Sequence, residues 1–313
     1  MVIYDILNNF TNITNKSPLK KSSKYWILTD IEELDRIKDN INIDDCCIKE
    51  CKEMSEFSKI NFYHNYIFII LSALEYYNGQ VYCKNLYVFL SKEYLITTST
   101  DELDIVKDLI EDIRDSKDSL FFKKNPLPCI LLYYIIDRII VKNYNVIASL
   151  EEEVDKIEIG ILKNPKHQYL DRLINLRRQV YKIRKYLNPL RYIGDSLTSN
   201  ENNIIEKENL VHFINLNKKT DKLVMALESL VQDLGMVREA FESEIANKTN
   251  ELMKIFTLIA TIFLPLNLIS SIYGMNFKYI PFANTDYGYY FIIAIMIFIT
   301  AILIYIFKKK KWL

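Results

Sequence analysis

The stretch IFTLIATIFLPLNLISSIYGMNF at residues 255–277 contains 23 consecutive residues without a charged side chain. A second uncharged stretch, 21 residues long, covers residues 287–307 near the C-terminus. As helices, the two stretches would measure roughly 34 and 31 Å, enough to cross a bilayer core of about 30 Å. Buried core helices are the alternative, but they are seldom so long and so uniformly apolar. The sequence therefore predicts two transmembrane helices.

The charges of the chain are segregated around these stretches. The 313 residues include 40 basic and 40 acidic side chains, so the chain is formally neutral. After Lys254 there are five lysines and one aspartate, a net charge of +4, so residues 1–254 carry −4. Because nucleic-acid binding needs a basic surface, nucleic acid is not an expected partner.

The two predicted membrane helices form a hairpin, because the loop between them, residues 278–286, is too short to be a domain. Lys308–Lys311 closes the second helix, and Lys254 precedes the first. The positive-inside rule places both termini in the cytoplasm. The N-terminus, MVIYDILNNF, lacks the basic region of a signal peptide. We therefore expect a multi-pass protein of the cell (inner) membrane, with residues 1–254 in the cytoplasm.

The first part of the chain has the short alternating elements of an α/β domain. The predicted strands are residues 24–30, 64–74, 80–91 and 93–99. Asn78-Gly79 supplies the turn between the second and the third strand. The predicted helices are residues 30–41, the stretch around 48–57, and residues 101–118.

Longer helices replace this pattern further along the chain. Apolar residues at helical spacing predict helices over 130–163 and 167–188, the second ending before Pro189. A third helix is predicted to run unbroken from about Glu206 to Ile272, through the first membrane segment. The predicted organisation is an α/β domain (1–125), a helical hairpin (126–200), a stalk helix (201–254), the first membrane helix with its terminal motif (255–277), a loop (278–286), the second membrane helix (287–307) and a basic tail (308–313).

Catalysis and structural metal binding find no support in the sequence. With 6 Gly and 3 His, the chain has few of the residues that form glycine-rich phosphate-binding loops or histidine metal sites. The five cysteines lack zinc-site spacing and are expected to be reduced thiols: Cys46, Cys47, Cys51, Cys83 and Cys129. No nucleophile–base constellation or nucleotide motif is present. We predict a protein that is not an enzyme and that has no covalently bound cofactor.

A stripe of small and polar side chains follows one face of the first membrane helix, at spacings of three and four residues. Its members are Asn250, Met253, Thr257, Ala260, Leu264, Asn267, Ser271 and Gly274. Polar residues in a membrane face protein or water. The stripe is therefore either a helix-packing surface or the lining of an aqueous pathway. One hairpin cannot enclose a pathway, so the second interpretation requires several copies of the chain.

The segment 247–277, which ends in Tyr273-Gly274-Met275-Asn276-Phe277, resembles the CorA family of divalent-cation channels. The terminal KKKKWL and, more faintly, residues 126–158 and 176–191 share this resemblance. It implies a funnel-shaped homopentamer in which five first membrane helices line a pore and the cytoplasmic domains form the funnel. It also implies passive uptake of Mg²⁺, with Co²⁺ or Ni²⁺ as secondary ions, selected by residues 273–276 at the extracellular mouth.

The chemistry of the motif suits that role. Mg²⁺ dehydrates reluctantly, and a ring of Asn276 amides with backbone carbonyls near Gly274 would hydrogen-bond its waters. Gly274 is expected to allow a backbone geometry that a side chain would restrict. Asn267 and Asn250 would add deeper polar rings. The candidates for an apolar constriction that gates by dewetting are Met253, Leu264 and Phe256, the last of which lies beside the stripe.

The basic tail has two interpretations. In a pentamer, Lys308, Lys309, Lys310 and Lys311 would place about twenty lysines around the inner mouth. They are either a positive-inside anchor or an electrostatic barrier that the acidic residues of 151–158 partly offset.

The sequence also departs from the family pattern. Lys278 follows the motif where many members have an acid, which leaves Asp286 as the loop carboxylate. At the stretches that match a regulatory Mg²⁺ site between subunits, the chain offers Asn78 and Asn215. The remaining candidates for regulatory metal ligands are Glu75, Glu206, Glu208 and Asp221. The alternative functions are a Zn²⁺ transporter on the same scaffold and a non-conducting, membrane-anchored sensor.

Overall fold

The computed structural model describes residues 1–8, 10–13, 23–53, 57–99, 103–115, 125–276, 281, 287–310 and 312. They divide into two units, Met1–Arg238 and Glu239–Leu313, and the boundary falls inside one helix. The strands are β1 (Val2–Asp5), β2 (Thr11–Asn12), β3 (Tyr25–Thr29), β4 (Lys59–Phe62), β5 (Ile67–Tyr77), β6 (Gln80–Leu90) and β7 (Tyr94–Ser99). The helices are α1 (Ile31–Ile41), α2 (Asp45–Lys52), α3 (Asp104–Arg114), α4 (Pro128–Lys163), α5 (His167–Ser199), α6 (Leu210–Tyr273) and α7 (Gly288–Lys309).

The strands form one sheet in the order β2-β1-β3-β7-β6-β5-β4. Its pairs are antiparallel except for β3 with β7, which is parallel. Trp26 on β3 is fully buried, and its Nε1 donates to Thr97 Oγ1 on β7 at 3.0 Å. The predicted turn at Asn78-Gly79 joins β5 to β6 with φ of 51° and 75°, as a two-residue hairpin requires. The α/β class predicted for this part of the chain is confirmed.

The β5–β6 hairpin extends beyond its neighbours in the sheet, and on the β5 side α4 completes the hydrogen bonding. The β4 pairing with β5 ends at Ile70. Beyond that point the buried amide of Asn143 on α4 accepts from the Leu74 N–H at 2.8 Å and donates to the Ser72 carbonyl at 3.2 Å. One side-chain amide therefore takes the place of a peptide group of a missing strand.

On the β6 side, side chains of α5 supply the missing hydrogen-bond partners. The β7 pairing with β6 begins only at Leu86. The Val81 N–H donates to Gln179 Oε1 at 2.9 Å, and Lys182 Nζ donates to the Val81 carbonyl at 2.8 Å. Side chains of α4 and α5 thus hold the two edges of the hairpin, which joins the helical pair to the sheet by directional bonds as well as by apolar contact.

Three strands are absent from the sequence prediction: β1, β2 and β4. They have four, two and four residues, too few to show an alternating pattern. β1 pairs with β3, and β4 pairs with β5, so these strands depend on longer partners for their formation. Parts of two predicted helices, residues 54–56 and both ends of 101–118, lie outside the described residues.

The prediction that the second long helix ends before Pro189 was wrong, because α5 continues through Pro189 to Ser199. Proline removes one backbone donor and frees the carbonyl four residues earlier. That residue, Lys185, is exposed, so water can satisfy its carbonyl. The buried stripe continues beyond the proline and supplies the packing that keeps the chain helical: Leu187, Leu190, Ile193 and Leu197.

The five cysteines are free thiols, as predicted. Burial raises the pKa of Cys47 to about 11, that of Cys51 to about 12 and that of Cys129 to about 11. These three thiols are therefore protonated and unreactive at neutral pH.

Candidate functional site

Helices α6 and α7 contain the apolar stretches. α6 is continuous over 64 residues, as predicted, and a short 3₁₀ helix (Lys207–Asn209) precedes it. Both helices are long and apolar enough to cross a membrane. In each, only 6% of the most apolar 18-residue segment is buried. The core helix of a soluble protein would be mostly buried, so this exposure favours a lipid environment.

One stripe of each apolar helix is covered. In the apolar part of α6 the covered or half-covered residues are Leu258, Ile262, Pro265, Leu266, Ile269 and Tyr273. On α7 they are Gly288, Ile292, Met296, Ile299, Thr300, Leu303 and Phe307. Both sets follow the same spacing of three and four residues, as expected for two helices that pack against each other. Ile255, Ile259 and Phe263, which lie between these positions along α6, are exposed.

The polar stripe lies on the opposite side of α6. At 3.6 residues per turn, its centre is about 180° around the helix from the covered stripe. All of its members are exposed, Leu264 by 75% and Met253 by 59%. Phe256, predicted beside the stripe, is 66% exposed. The fold thus presents one continuous face of small, polar and apolar side chains that the single chain leaves uncovered.

The polar groups of this face are arranged as acceptors. The Thr257 hydroxyl donates to the Met253 carbonyl at 2.8 Å, which leaves its oxygen lone pairs directed outward. Within the described part of the chain, the amides of Asn250 and Asn267 make no hydrogen bond. The waters of a hydrated cation are hydrogen-bond donors, so these oxygens can accept from them.

The motif residues Tyr273, Gly274, Met275 and Asn276 follow directly from the last turn of α6. The Gly274 N–H donates to the Ser270 carbonyl at 2.9 Å, and Met275 and Asn276 are exposed. The restriction expected for a side chain at Gly274 does not come from its φ, which is not positive. Instead, a Cβ there would lie 3.3 Å from the Ser270 carbonyl oxygen. Phe277, Lys278 and Asp286 lie outside the described residues.

The opposite end of the membrane hairpin is basic. Lys308 and Lys309 form the last turn of α7, and Lys310 follows it; all three are exposed. Lys311 lies outside the described residues. Trp312 turns back onto α7, with its ring 5.9 Å from that of Phe307 and stacked on it.

The four candidate regulatory acids do not form a common site. Glu75 accepts from Lys142 Nζ at 2.6 Å and pairs with Lys84 at 3.0 Å. Asp221 pairs with Arg191 at 2.9 Å. Glu206 and Glu208 remain, and among the residues that the structure describes no three acidic, histidine or cysteine side chains lie close enough to hold a metal ion. A regulatory metal at Glu75 would have to displace two lysines.

We expect Glu75→Gln to lower the free energy of unfolding by about 1–2 kcal/mol at pH 7. Partial burial raises the pKa of the Glu75 carboxyl, but Lys142 and Lys84 more than offset this and hold the pKa below its usual range. A lowered folded-state pKa contributes stability that is present above the unfolded pKa and is lost as the pH falls through the folded value. Urea unfolding at pH 7 and at about pH 3 checks this, since the two proteins should converge in acid. An equal difference at both pH values would contradict the assignment.

The sheet-and-helix unit, the continuous helix and the exposed apolar pair define a two-pass membrane protein with a large soluble part. The model of the family described as CorA-like Mg²⁺ transporter protein matches residues 22–309. The chain belongs to this family, whose members are transporters and not enzymes.

Individual relatives agree with this assignment. The cobalt/magnesium transport protein CorA of Thermotoga maritima is 29% identical over 310 residues, which cover 97% of this chain and 88% of that protein. The protein of the same name from Methanocaldococcus jannaschii is 25% identical over 282 residues, covering 90% and 88%. The complete structure of the CorA magnesium transporter from M. jannaschii matches with a TM-score of 0.86 at 24% identity, covering 100% of this chain and 98% of that one. The predicted fold class and family resemblance are confirmed.

Proposed function

We propose that the chain forms a homopentameric channel that passively conducts Mg²⁺ into the cell, with Co²⁺ or Ni²⁺ as secondary ions. The observation that carries this proposal is the position of the polar stripe, on the side of α6 opposite the covered stripe. Polar side chains in a membrane require protein or water beside them. Copies of α6 around a common axis supply water on the inside, while the α7 helices lie outside.

The motif at the end of α6 acts as the ion filter. In a ring of five chains, the Asn276 amides and the backbone carbonyls of Tyr273, Gly274 and Met275 accept hydrogen bonds from the waters of Mg²⁺. Neutral amide dipoles attract a dication without trapping it, which conduction requires. Asn267 and Asn250 repeat this chemistry deeper in the pore, and the hydroxyls of Thr257 and Ser271 add acceptors between them.

The gate lies between the polar rings. Met253, Phe256 and Leu264 present exposed apolar side chains on or beside the polar stripe, and Ala260 leaves room between them. A narrow apolar section excludes water unless it widens, so a small movement of α6 switches conduction. The part of α6 before the membrane segment, residues 210–254, forms the stalk through which the soluble part transmits that movement; residues 201–206, predicted as part of the same helix, are not helical.

Both termini lie in the cytoplasm in this proposal, with residues 278–286 outside. The basic residues Lys308–Lys311 and Lys254 are at one end of the hairpin, in accordance with the positive-inside rule. Glu206, Glu208 and Asp221 remain the candidates for sensing intracellular Mg²⁺, together with Glu75 if its lysines are displaced.

Ion flux into liposomes that contain the full-length chain tests the proposal. Mg²⁺, Co²⁺, Ni²⁺ and Zn²⁺ are supplied separately outside, with internal Mg²⁺ varied from zero to millimolar concentrations. We expect Mg²⁺ entry down its gradient and a pentamer by mass measurement in detergent. Flux of Zn²⁺ without Mg²⁺ would favour the zinc alternative, and the absence of any flux would favour a non-conducting sensor. Strong inhibition by internal Mg²⁺ would establish a closing site.

A further inference from the structure

We propose that an exposed apolar stripe on α6 of one copy of the chain docks into a groove between α5 and α6 of the next copy. Repeated around a ring, this contact holds the homopentamer together. The inference rests on the proposed function, because it assigns the surfaces by which that pentamer assembles. Both surfaces lie within the unit Met1–Arg238.

The first surface consists of exposed large apolar side chains on α6. They are Val211, Ile214, Met225 and Met236, which are 51, 45, 66 and 60% exposed. Steps of 3, 11 and 11 residues separate them. Since eleven residues make about three complete turns, the four side chains share one face of the helix over roughly 38 Å. We name this face the apolar stripe. Such an alignment of exposed apolar residues is typical of a packing surface.

The second surface is a groove between α5 and α6. One section, with a volume of about 510 Å³, lies between Ile174 and Tyr181 of α5 and Gly235 of α6. A second section of about 210 Å³ adjoins the first at Val231 and continues to Val224. A Cβ at Gly235 would meet no atom within 4 Å, so this part of the groove is open. An apolar side chain of another molecule can therefore enter it without displacing a residue.

The angle between the two surfaces fits a ring. At about 100° per residue, the apolar stripe and the α6 residues that line the groove are centred about 120° apart around the helix. In a ring of identical helices, each helix contacts its two neighbours at an angle of about 90° for four copies, about 108° for five and about 120° for six. The separation therefore fits a ring of five or six copies. A two-fold dimer would instead require one face that contacts itself.

Rotation about a common axis also determines which residues meet. Symmetry-related residues lie at the same height along the axis, so Met236 of one copy arrives at the level of Gly235 in the next. Met225 arrives at the level of Val224. Gly235 and Val224 line the two sections of the groove, so each section receives one methionine. Methionine is unbranched and flexible, which suits it to fill irregular gaps of this kind.

The charges beside the two surfaces are complementary. Arg177 of α5 is exposed and lines the groove near Gly235. Beside the apolar stripe, α4 and α6 form an acidic edge: burial raises the pKa of the Glu151 carboxyl, and the nearby Asp233 and Asp155 raise it further. Asp233 precedes Met236 by about one turn of α6. Docking of the stripe therefore brings the acidic edge of one copy toward the basic wall of the groove in the next.

Photo-cross-linking of the detergent-solubilised full-length protein tests the contact. p-Benzoylphenylalanine replaces Met236, and chains labelled with ¹⁵N are mixed with unlabelled chains before assembly, so that cross-links between copies are recognised by mass. We expect species up to the pentamer, with adducts between copies in the α5 peptides that contain Ile174 or Tyr181. The matched control places the same group at Val141, which is 52% exposed on α4 and belongs to neither surface. It should give no adduct on α5 of another copy.

Native mass spectrometry of the double variant Met225→Glu, Met236→Glu gives a second readout. Both side chains are exposed in the single chain, so the fold should tolerate the change. In the assembly, two carboxylates would enter an apolar groove at every contact. We expect the protein concentration at which half of the pentamer dissociates to rise at least about tenfold. Val141→Glu should leave that concentration unchanged.

The outcomes separate this inference from the proposed function. An unchanged pentamer in the double variant would overturn the inference, as would adducts from position 236 that fall outside α5. In both cases a wild type that is pentameric and conducts Mg²⁺ would leave the channel proposal standing. A wild type that is neither pentameric nor conducting would instead overturn the proposed function and the inference with it.

Discussion

Replacement of Asn276 by alanine should reduce Mg²⁺ flux in liposomes by about 10–100-fold, the usual effect of removing a hydrogen-bonding partner outside the ligand shell of a metal. Asn276 is exposed beyond the end of α6. In the proposed pentamer, the substitution removes five amides at once from the point where the hydrated ion enters. Backbone carbonyls remain, so binding of the ion weakens at this point while the pore stays open.

Two further measurements make this result specific. Asn276→Ala must elute as the same oligomer as the wild type, because a disrupted assembly would also abolish flux. Asn247→Ala is the matched control, since it removes an exposed amide of α6 that is not a member of the polar stripe. Undiminished Mg²⁺ flux through Asn276→Ala would contradict the filter.

Replacement of Asn143 by alanine should lower the free energy of unfolding by about 2–4 kcal/mol. The Asn143 side chain is fully buried and serves both the Leu74 N–H and the Ser72 carbonyl. Alanine leaves both backbone groups without a partner where water cannot replace the amide, and each such group costs about 1–3 kcal/mol.

Urea unfolding followed by the fluorescence of Trp26 measures this loss, because Trp26 is fully buried in the same sheet. Asn145→Ala is the control: Asn145 is an exposed asparagine two residues away on α4. It should change stability by no more than about 0.5 kcal/mol. Equal effects of the two substitutions would show that the edge of β5 does not depend on the amide.

Much of the fold could be predicted because its elements are long or have local signals. The Asn78-Gly79 turn and the unbroken apolar repeat of α6 are examples. The short strands β1, β2 and β4 could not, because two to four residues are too few to show a pattern and each forms only by pairing with a neighbouring strand. Pro189 illustrates the same limit. Its local preference ends a helix, but the buried residues beyond it maintain one.

In the candidate site, too, some features could be predicted from the sequence and others could not. The polar stripe depends on spacing within one helix, so its common exposed face could be predicted from the sequence. The environment of Glu75 could be predicted only in part. Lys84 lies across the predicted β5–β6 hairpin, but Lys142 comes from α4, 67 residues further along the chain. The space for a side chain at Gly274 could not be predicted either, because it is limited by the position of one backbone atom, the Ser270 carbonyl oxygen.

Because α6 is continuous, it also fixes the angle around the helix axis between side chains in its N-terminal and C-terminal parts. One helix carries both the buried stripe of the soluble part and the polar stripe of the membrane part, so the angle between them depends on the number of residues that separate them. Insertion of one residue between 243 and 249 would turn the polar stripe by about 100° relative to the side chains of the N-terminal part of the same helix. Insertion of seven residues would restore the angle to within about 20°. Flux in such insertion variants should therefore follow the period of the helix and not the length of the insert.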